Sequence, residues 1–141
     1  MSEFLLTVDQ PIKASRSKVW DALTNPAMIK KYMFGTDTES TWKVGGPITF
    51  TGTWEGKPYV DKGKILQIEK EKILKYNYWS SFSGTEDIPS NYANIVYQLE
   101  EQPNHVLLTI TQDGIKSEEA REHSEKNWKM ILNTIKELLE K

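Results

Sequence analysis

Residues Ser117 to Lys141 read as one amphipathic helix that cannot stand alone, and this limits what the rest of the chain can fold into. Its apolar positions are Ala120, Trp128, Ile131, Leu132, Ile135, Leu138 and Leu139. From Trp128 onward they follow the spacing i, i+3, i+4, i+7, i+10, i+11, the stripe of a helix lying on something apolar. Ser117 is a good N-cap, and Glu118 and Glu119 sit where the positive end of the helix dipole favours anions. From Ile48 to Ile115 the chain reads almost entirely as strands. The expectation is a sheet wrapped on one terminal helix, an arrangement that leaves room for a cavity between them.

The N-terminal part has a different rhythm. Glu3 to Val8 suits a first strand, with Pro11 ending it or marking an edge. Ser15 is the expected N-cap of a short helix through Leu23 whose apolar side is Val19, Trp20 and Leu23. Asn25 then caps a second short helix to about Tyr32, with Pro26 in the first helical position. Thr36 to Ser40 is a polar stretch, and Gly45-Gly46-Pro47 forces a turn. Next comes a clean alternation: Ile48, Phe50, Gly52 and Trp54 on one face, Thr49, Thr51 and Thr53 on the other.

Glu55-Gly56-Lys57-Pro58 reads as a hairpin turn into a strand from Tyr59 to Lys70. That strand breaks alternation at Ile65-Leu66-Gln67-Ile68, which predicts a bulge, and Gly63 suits a close backbone approach. Leu74, Tyr76 and Tyr78 alternate with polar neighbours; Ile95, Tyr97 and Leu99, then Val106, Leu108 and Ile110, repeat the pattern. Hairpin connections make the sheet antiparallel. Ser80 to Asn91, with Phe82, Gly84 and Ile88, is the longest unpatterned connection, expected to be mobile and to border a pocket mouth.

Composition narrows the function. The chain has 141 residues, one domain's worth, and 38% hydrophobic residues, so a soluble globular domain over 1–141 is expected. A net charge of -2 offers no basic excess for phosphates, so no nucleic acid is expected as a partner. The absence of cysteine removes disulfides, thiolate catalysis and cysteine-ligated metals. No run reaches transmembrane length and no signal peptide is evident, so the expected location is cytoplasmic, with no membrane span.

Several motifs carry a resemblance. Pro11-Ile12-Lys13-Ala14-Ser15 with Val19 to Pro26, Val44-Gly45-Gly46 with Phe50, Gly63-Lys64-Ile65 with Ile68, and Leu74 to Tyr78 occur in order. Leu108 to Ile115 and Trp128 to Leu132 complete the set. Together they resemble the START-like helix-grip (SRPBCC) superfamily, in the branch similar to the C-terminal domain of the activator of Hsp90 ATPase. The resemblance implies an α+β helix-grip fold: a curved antiparallel sheet of about six to seven strands around a long C-terminal helix, with two short helices after the first strand. Two positions depart from the family pattern. Tyr32 stands where a tryptophan is common, and Gln112 where a histidine is frequent. The eukaryotic activator's separate N-terminal domain is not seen in this sequence, so strong ATPase stimulation is not expected.

The wider fold binds hydrophobic or aromatic small molecules, and some members catalyse cyclisations; fold alone does not select among these. His105 and His123 lack the spacing of a zinc pair, no Gly-x-Ser-x-Gly or phosphate loop occurs, and the adjacent acids Glu100-Glu101 and Glu118-Glu119 diverge. No catalytic residue, metal ligand or cofactor is therefore expected. What remains is a converging inner face. Phe50, Trp54, Tyr76, Tyr78, Tyr97, Ile110, Trp128 and Leu132 are the candidate ligand-binding residues. Three tyrosine hydroxyls on that face would be costly in a dry core and fit a partly wet pocket. The leading expectation is a binding protein for an apolar or aromatic small molecule. The alternatives are an Hsp90-associated chaperone partner, with Trp42 and Trp79 as candidate contacts, and a cyclase-like enzyme.

Overall fold

The computed structural model describes residues 4–33, 35–80, 86–115 and 117–140, with the side chains of Phe4 and Trp54 outside that description. The elements run β1 (Phe4–Ile12), α1 (Arg16–Thr24), α2 (Pro26–Tyr32), β2 (Asp37–Ser40), β3 (Pro47–Trp54), β4 (Lys57–Glu69), β5 (Ile73–Ser80), β6 (Ala93–Gln102), β7 (His105–Ile115) and α3 (Glu118–Leu139). All strand pairs are antiparallel, in the spatial order β1-β7-β6-β5-β4-β3-β2. Two short helices follow the first strand, and the curved seven-stranded sheet holds α3, so the fold is the α+β helix grip. Among the described residues no helix is long and apolar enough to cross a membrane.

Local chemistry explains the element boundaries. Ser15 Oγ accepts from Lys18 N–H to cap α1. Asn25 Oδ1 accepts from Ala27 N–H at the start of α2, where Pro26 needs no partner for a missing N–H. Ser117 Oγ accepts from Ala120 N–H to open α3. The β3–β4 turn is Glu55-Gly56, both with positive φ (50° and 80°), and Trp54 pairs with Lys57 across it. Two positive-φ residues match the right-handed twist of the flanking strands. The hairpin is thus tighter than the four residues predicted. The ladder from β4 to β5 shifts register between Ile65 and Gln67, which leaves Leu66 as the bulged, exposed residue. Gly63 is there because backbone passes it closely: a Cβ at that position would lie 1.6 Å from Asn77 O.

Three elements differ from expectation. Thr36 to Ser40 contains β2, an edge strand paired with β3 that has no apolar side chain to signal it. β1 extends past the expected end at Val8 to Ile12, with Pro11 marking an edge strand, as one of its two readings had it, because an edge tolerates a residue with no N–H to donate. The Asp113-Gly114 pair reads in the sequence as a break into the terminal helix, yet β7 runs through it to Ile115, with Gly114 at φ 70°.

The core lies between the sheet and the helices. Leu6, Ile12, Ile48, Ile65, Leu74, Leu108 and Ile110 from the strands and Leu132 and Ile135 from α3 are almost wholly buried. The α3 stripe is as predicted from Trp128 to Ile135, with Leu138 and Leu139 half-buried against the core. Ala120 lies before the stripe and is exposed. Glu140 fastens the end of α3 to the β1–α1 link: its Oε2 accepts from Lys13 N–H at 2.9 Å and its Oε1 from Lys136 Nζ at 2.6 Å.

Candidate functional site

A cavity of about 350 Å³ lies between the inner face of the sheet and one side of α3. This is within the usual size of small-molecule sites. β3 contributes Phe50 and Thr53; β4 contributes Tyr59 and Asp61; β5 contributes Tyr76 and Tyr78. Ile95 from β6 and Gln112 from β7 form the back. α3 closes it with His123, Ser124, Asn127, Trp128 and Ile131, and Met33 and Thr36 close the side next to α2.

The aromatic rings form a continuous chain. Tyr78 meets Phe50 at 6.0 Å between centroids, Phe50 meets Tyr76 at 5.8 Å, and Tyr76 meets Tyr97 at 5.9 Å. Tyr97 then meets Trp128 edge-on, at 6.0 Å and 85°. These separations suit tilted and edge-to-face contact between ring quadrupoles. The rings share a face because Tyr76 and Tyr78 alternate inward on β5 beside Tyr97 of β6, while Leu74 pairs directly with Tyr97.

The polar ends of these rings are satisfied within the protein. Tyr76 and Tyr97 share a hydroxyl–hydroxyl bond of 3.0 Å. Tyr78 Oη donates to Asp61 Oδ2 at 2.5 Å, and the Trp128 indole N–H donates to Gln112 Oε1 at 2.7 Å. The Tyr59 hydroxyl lies 2.5 Å from Thr36 Oγ1. The three inner hydroxyls therefore do not need a wet pocket, contrary to that part of the sequence argument. Burial holds the Tyr76 hydroxyl well above the ordinary tyrosine range, with Tyr97 nearby adding to the effect. Burial raises Tyr97 too, and the bond from Tyr76 partly offsets it. Tyr78 is raised by burial and then by the Asp61 carboxylate beside it.

Both departures from the family pattern have structural partners. Tyr32 Oη donates to Ala22 O at 2.9 Å and ties α2 to α1. Gln112 accepts the Trp128 indole proton.

Of the candidate residues, Phe50, Tyr76, Tyr78 and Trp128 line the cavity. Tyr97 does not line it and sits against Tyr76 and Trp128. Ile110 and Leu132 do not line it either: they are 0% and 1% exposed and belong to the solid core. Trp54 ends β3, and its side chain lies outside the described residues. Shared strand phase identifies the inner face but not the depth along it, which separates core from cavity wall.

Tyr59, Asp61, Gln112, Ser124 and Asn127 were missed as wall residues. A signal for three of them existed. Tyr59 and Asp61 share parity with buried Ile65 before the bulge at Leu66. Ser124 falls four residues before Trp128, so it carries the helix stripe onward with a small polar side chain.

The connection after Ser80 is seen only in part. Phe82 and Gly84 lie outside the described residues. The described remainder does not line the cavity: Ile88 is exposed, and Asp87, Pro89 and Tyr92 flank a separate groove with Lys62 and Asn77. Asp87 holds this segment in place by pairing with Lys62 Nζ and accepting from Tyr92 Oη. Its carboxyl is lowered by the Lys62 bond and then by the Tyr92 bond, and Tyr92 is pushed up to about 12 by its bond to Asp87.

The candidate chaperone contacts are not free aromatic surfaces. Trp42 packs against the core beside Leu23, Ile29 and Tyr32. Trp79 carries Lys62 Nζ over its ring at 5.9 Å. Among the described residues, no three histidine, aspartate or glutamate side chains gather as metal ligands would.

Comparison with known proteins places this geometry. A search of curated proteins gave no match. A solved protein from Cytophaga hutchinsonii is 41% identical, with a TM-score of 0.87 over 99% of this chain and 97% of its own. The Aha1 dimer from Colwellia psychrerythraea is 20% identical, with a TM-score of 0.76 over 96% of each chain. CalU16 from Micromonospora echinospora is 18% identical, with a TM-score of 0.73 over 97% of this chain and 82% of its own. The last two likenesses show the fold alone. Residues 13–140 match the family described as Activator of Hsp90 ATPase homolog 1-like protein, and the chain belongs to that family.

Proposed function

We propose that this protein binds an apolar or aromatic small molecule in the cavity between its sheet and α3. The observation that carries the reading is the cavity itself: about 350 Å³ walled by Phe50, Tyr76, Tyr78 and Trp128. The polar ends of Tyr76, Tyr78 and Trp128 are tied back to protein groups, so ring surface is what they offer to a guest. Apolar walls with few convergent polar groups are the usual composition of such a site. A thermal-shift screen with small aromatics and lipids tests it. A guest present at a hundred times its Kd adds ~2.7 kcal/mol of stability. A panel that leaves the melting temperature unchanged across all compounds contradicts the reading.

A second reading, contact with an Hsp90-type chaperone, is supported by the family match over residues 13–140. ATP turnover by such a chaperone with and without this protein tests it, and a rate that stays unchanged counts against it. The described surface favours the first reading. Both tryptophans that were candidates for that contact are engaged within the protein.

A further inference from the structure

Resting on that reading, we infer that the cavity takes a ligand with a protonated amine on an aromatic or apolar body, and that Asp61 receives the amine. Asp61 stands on β4 in the cavity wall. Its Oδ2 accepts the Tyr78 hydroxyl, while its Oδ1 is cut off from solvent and has no hydrogen-bond partner among the described residues. A carboxylate has about four lone-pair sites, and a buried oxygen left without a donor keeps its full desolvation penalty. Native proteins rarely leave such an atom unexplained.

The surroundings give the sign of the missing partner. Among the described residues that line the cavity there is no lysine or arginine, His123 on α3 is the one basic side chain, and Asp61 is the one carboxylate. It takes part in none of the ion pairs between described residues. A carboxylate set among Tyr78, Tyr59 and the aromatic wall is a negative charge beside π-faces, with no lysine or arginine in that wall to offset it. An ammonium is the complement of both, through a charge-assisted hydrogen bond and through attraction to the rings. Oδ1 opens to an incoming donor by rotation about the soft χ2 torsion, which turns both oxygens together, so a bound amine also re-aims the bond from Tyr78.

A matched series tests this: 3-phenylpropylamine, 3-phenylpropan-1-ol and 3-phenylpropanoate, titrated into the protein by NMR at low and moderate salt. The wild type is expected to bind the amine roughly tenfold tighter than the alcohol, a gap of about 1.4 kcal/mol, and the carboxylate weakest. The Asp61→Asn variant keeps an oxygen to accept from Tyr78. It is expected to lose the preference for the amine over the alcohol. Equal binding of amine and alcohol by the wild type overturns the inference and leaves the aromatic cavity intact. So does an amine preference that survives Asp61→Asn, or a wild-type preference for the carboxylate. If none of the three binds, the inference and the reading beneath it both fail. The order within the wild type is informative by itself, so the test does not depend on the variant folding.

Discussion

Trp128 joins the core, the cavity and the last strand through one side chain. It is 8% exposed, meets Tyr97 edge-on, and gives its indole proton to Gln112. Trp128→Ala is expected to cost ~3–5 kcal/mol in denaturant unfolding, because it removes ring burial and leaves a void. A loss below about 0.5 kcal/mol would mean that the helix does not depend on this ring. The Tyr76–Tyr97 pair makes a different prediction. Each single Phe substitution strands a buried hydroxyl, costing ~1–3 kcal/mol, while the double substitution is expected to cost little more than either alone. Additive losses in that cycle would contradict the bond. Titration supplies a third. The Tyr32, Tyr76, Tyr78 and Tyr97 hydroxyls are all held above their ordinary value, with burial the leading cause in each. A raised folded pKa gives stability that is complete below the unfolded value of ~10 and is lost as pH rises beyond it. Ultraviolet titration is expected to show these tyrosines ionising only with alkaline unfolding. Ionisation of all six tyrosines near pH ~10 with the fold intact would refute this. At this scale the sequence was partly legible. It identified Phe50, Tyr76, Tyr78 and Trp128 as inward, since their phase is a local property. It could not show that Ile110 and Leu132 sit below the cavity and Asp61 in its wall, because depth depends on how strands twist past one another.

At the scale of elements, α3 is held at both ends by specific bonds. Ser117 caps its start, and Ser117→Ala is expected to cost about 1 kcal/mol. Glu140 ties its end to the link between β1 and α1, and its carboxyl is lowered by the Lys13 backbone N–H and then by Lys136. A lowered folded pKa gives stability that is present above the unfolded value and lost as pH falls. The difference in melting temperature between the wild type and Glu140→Gln is therefore expected to shrink as pH drops below ~4.3. A difference that stays constant from neutral pH to pH ~3 would contradict the tether. Most elements were readable in advance, because caps, Gly-containing turns and alternation all act locally. The α3 stripe, the two capped short helices and the bulge at Leu66 belong to this class. β2 was not readable. Asp37 to Ser40 carries no apolar residue, and only its pairing with β3 makes it a strand.

At the scale of the whole molecule, the sheet does two jobs along its length. Where it meets Leu132 and Ile135 of α3 it forms a filled core. Where it meets Ser124 and Asn127 the helix face turns polar and small, and the space between becomes the cavity. The family match fixes the architecture, but a fold hosts many functions, so the function rests on this cavity. The most direct test is NMR titration with a panel of neutral and charged aromatic compounds, following the Trp128 indole N–H, assigned from its loss in Trp128→Phe. The expected result is a saturable shift of that signal together with the backbone amides of Phe50, Tyr76 and Tyr78, while amides around Asp87 and Tyr92 stay still. Shifts confined to the Asp87–Tyr92 groove, or none at all across the panel, would contradict the account.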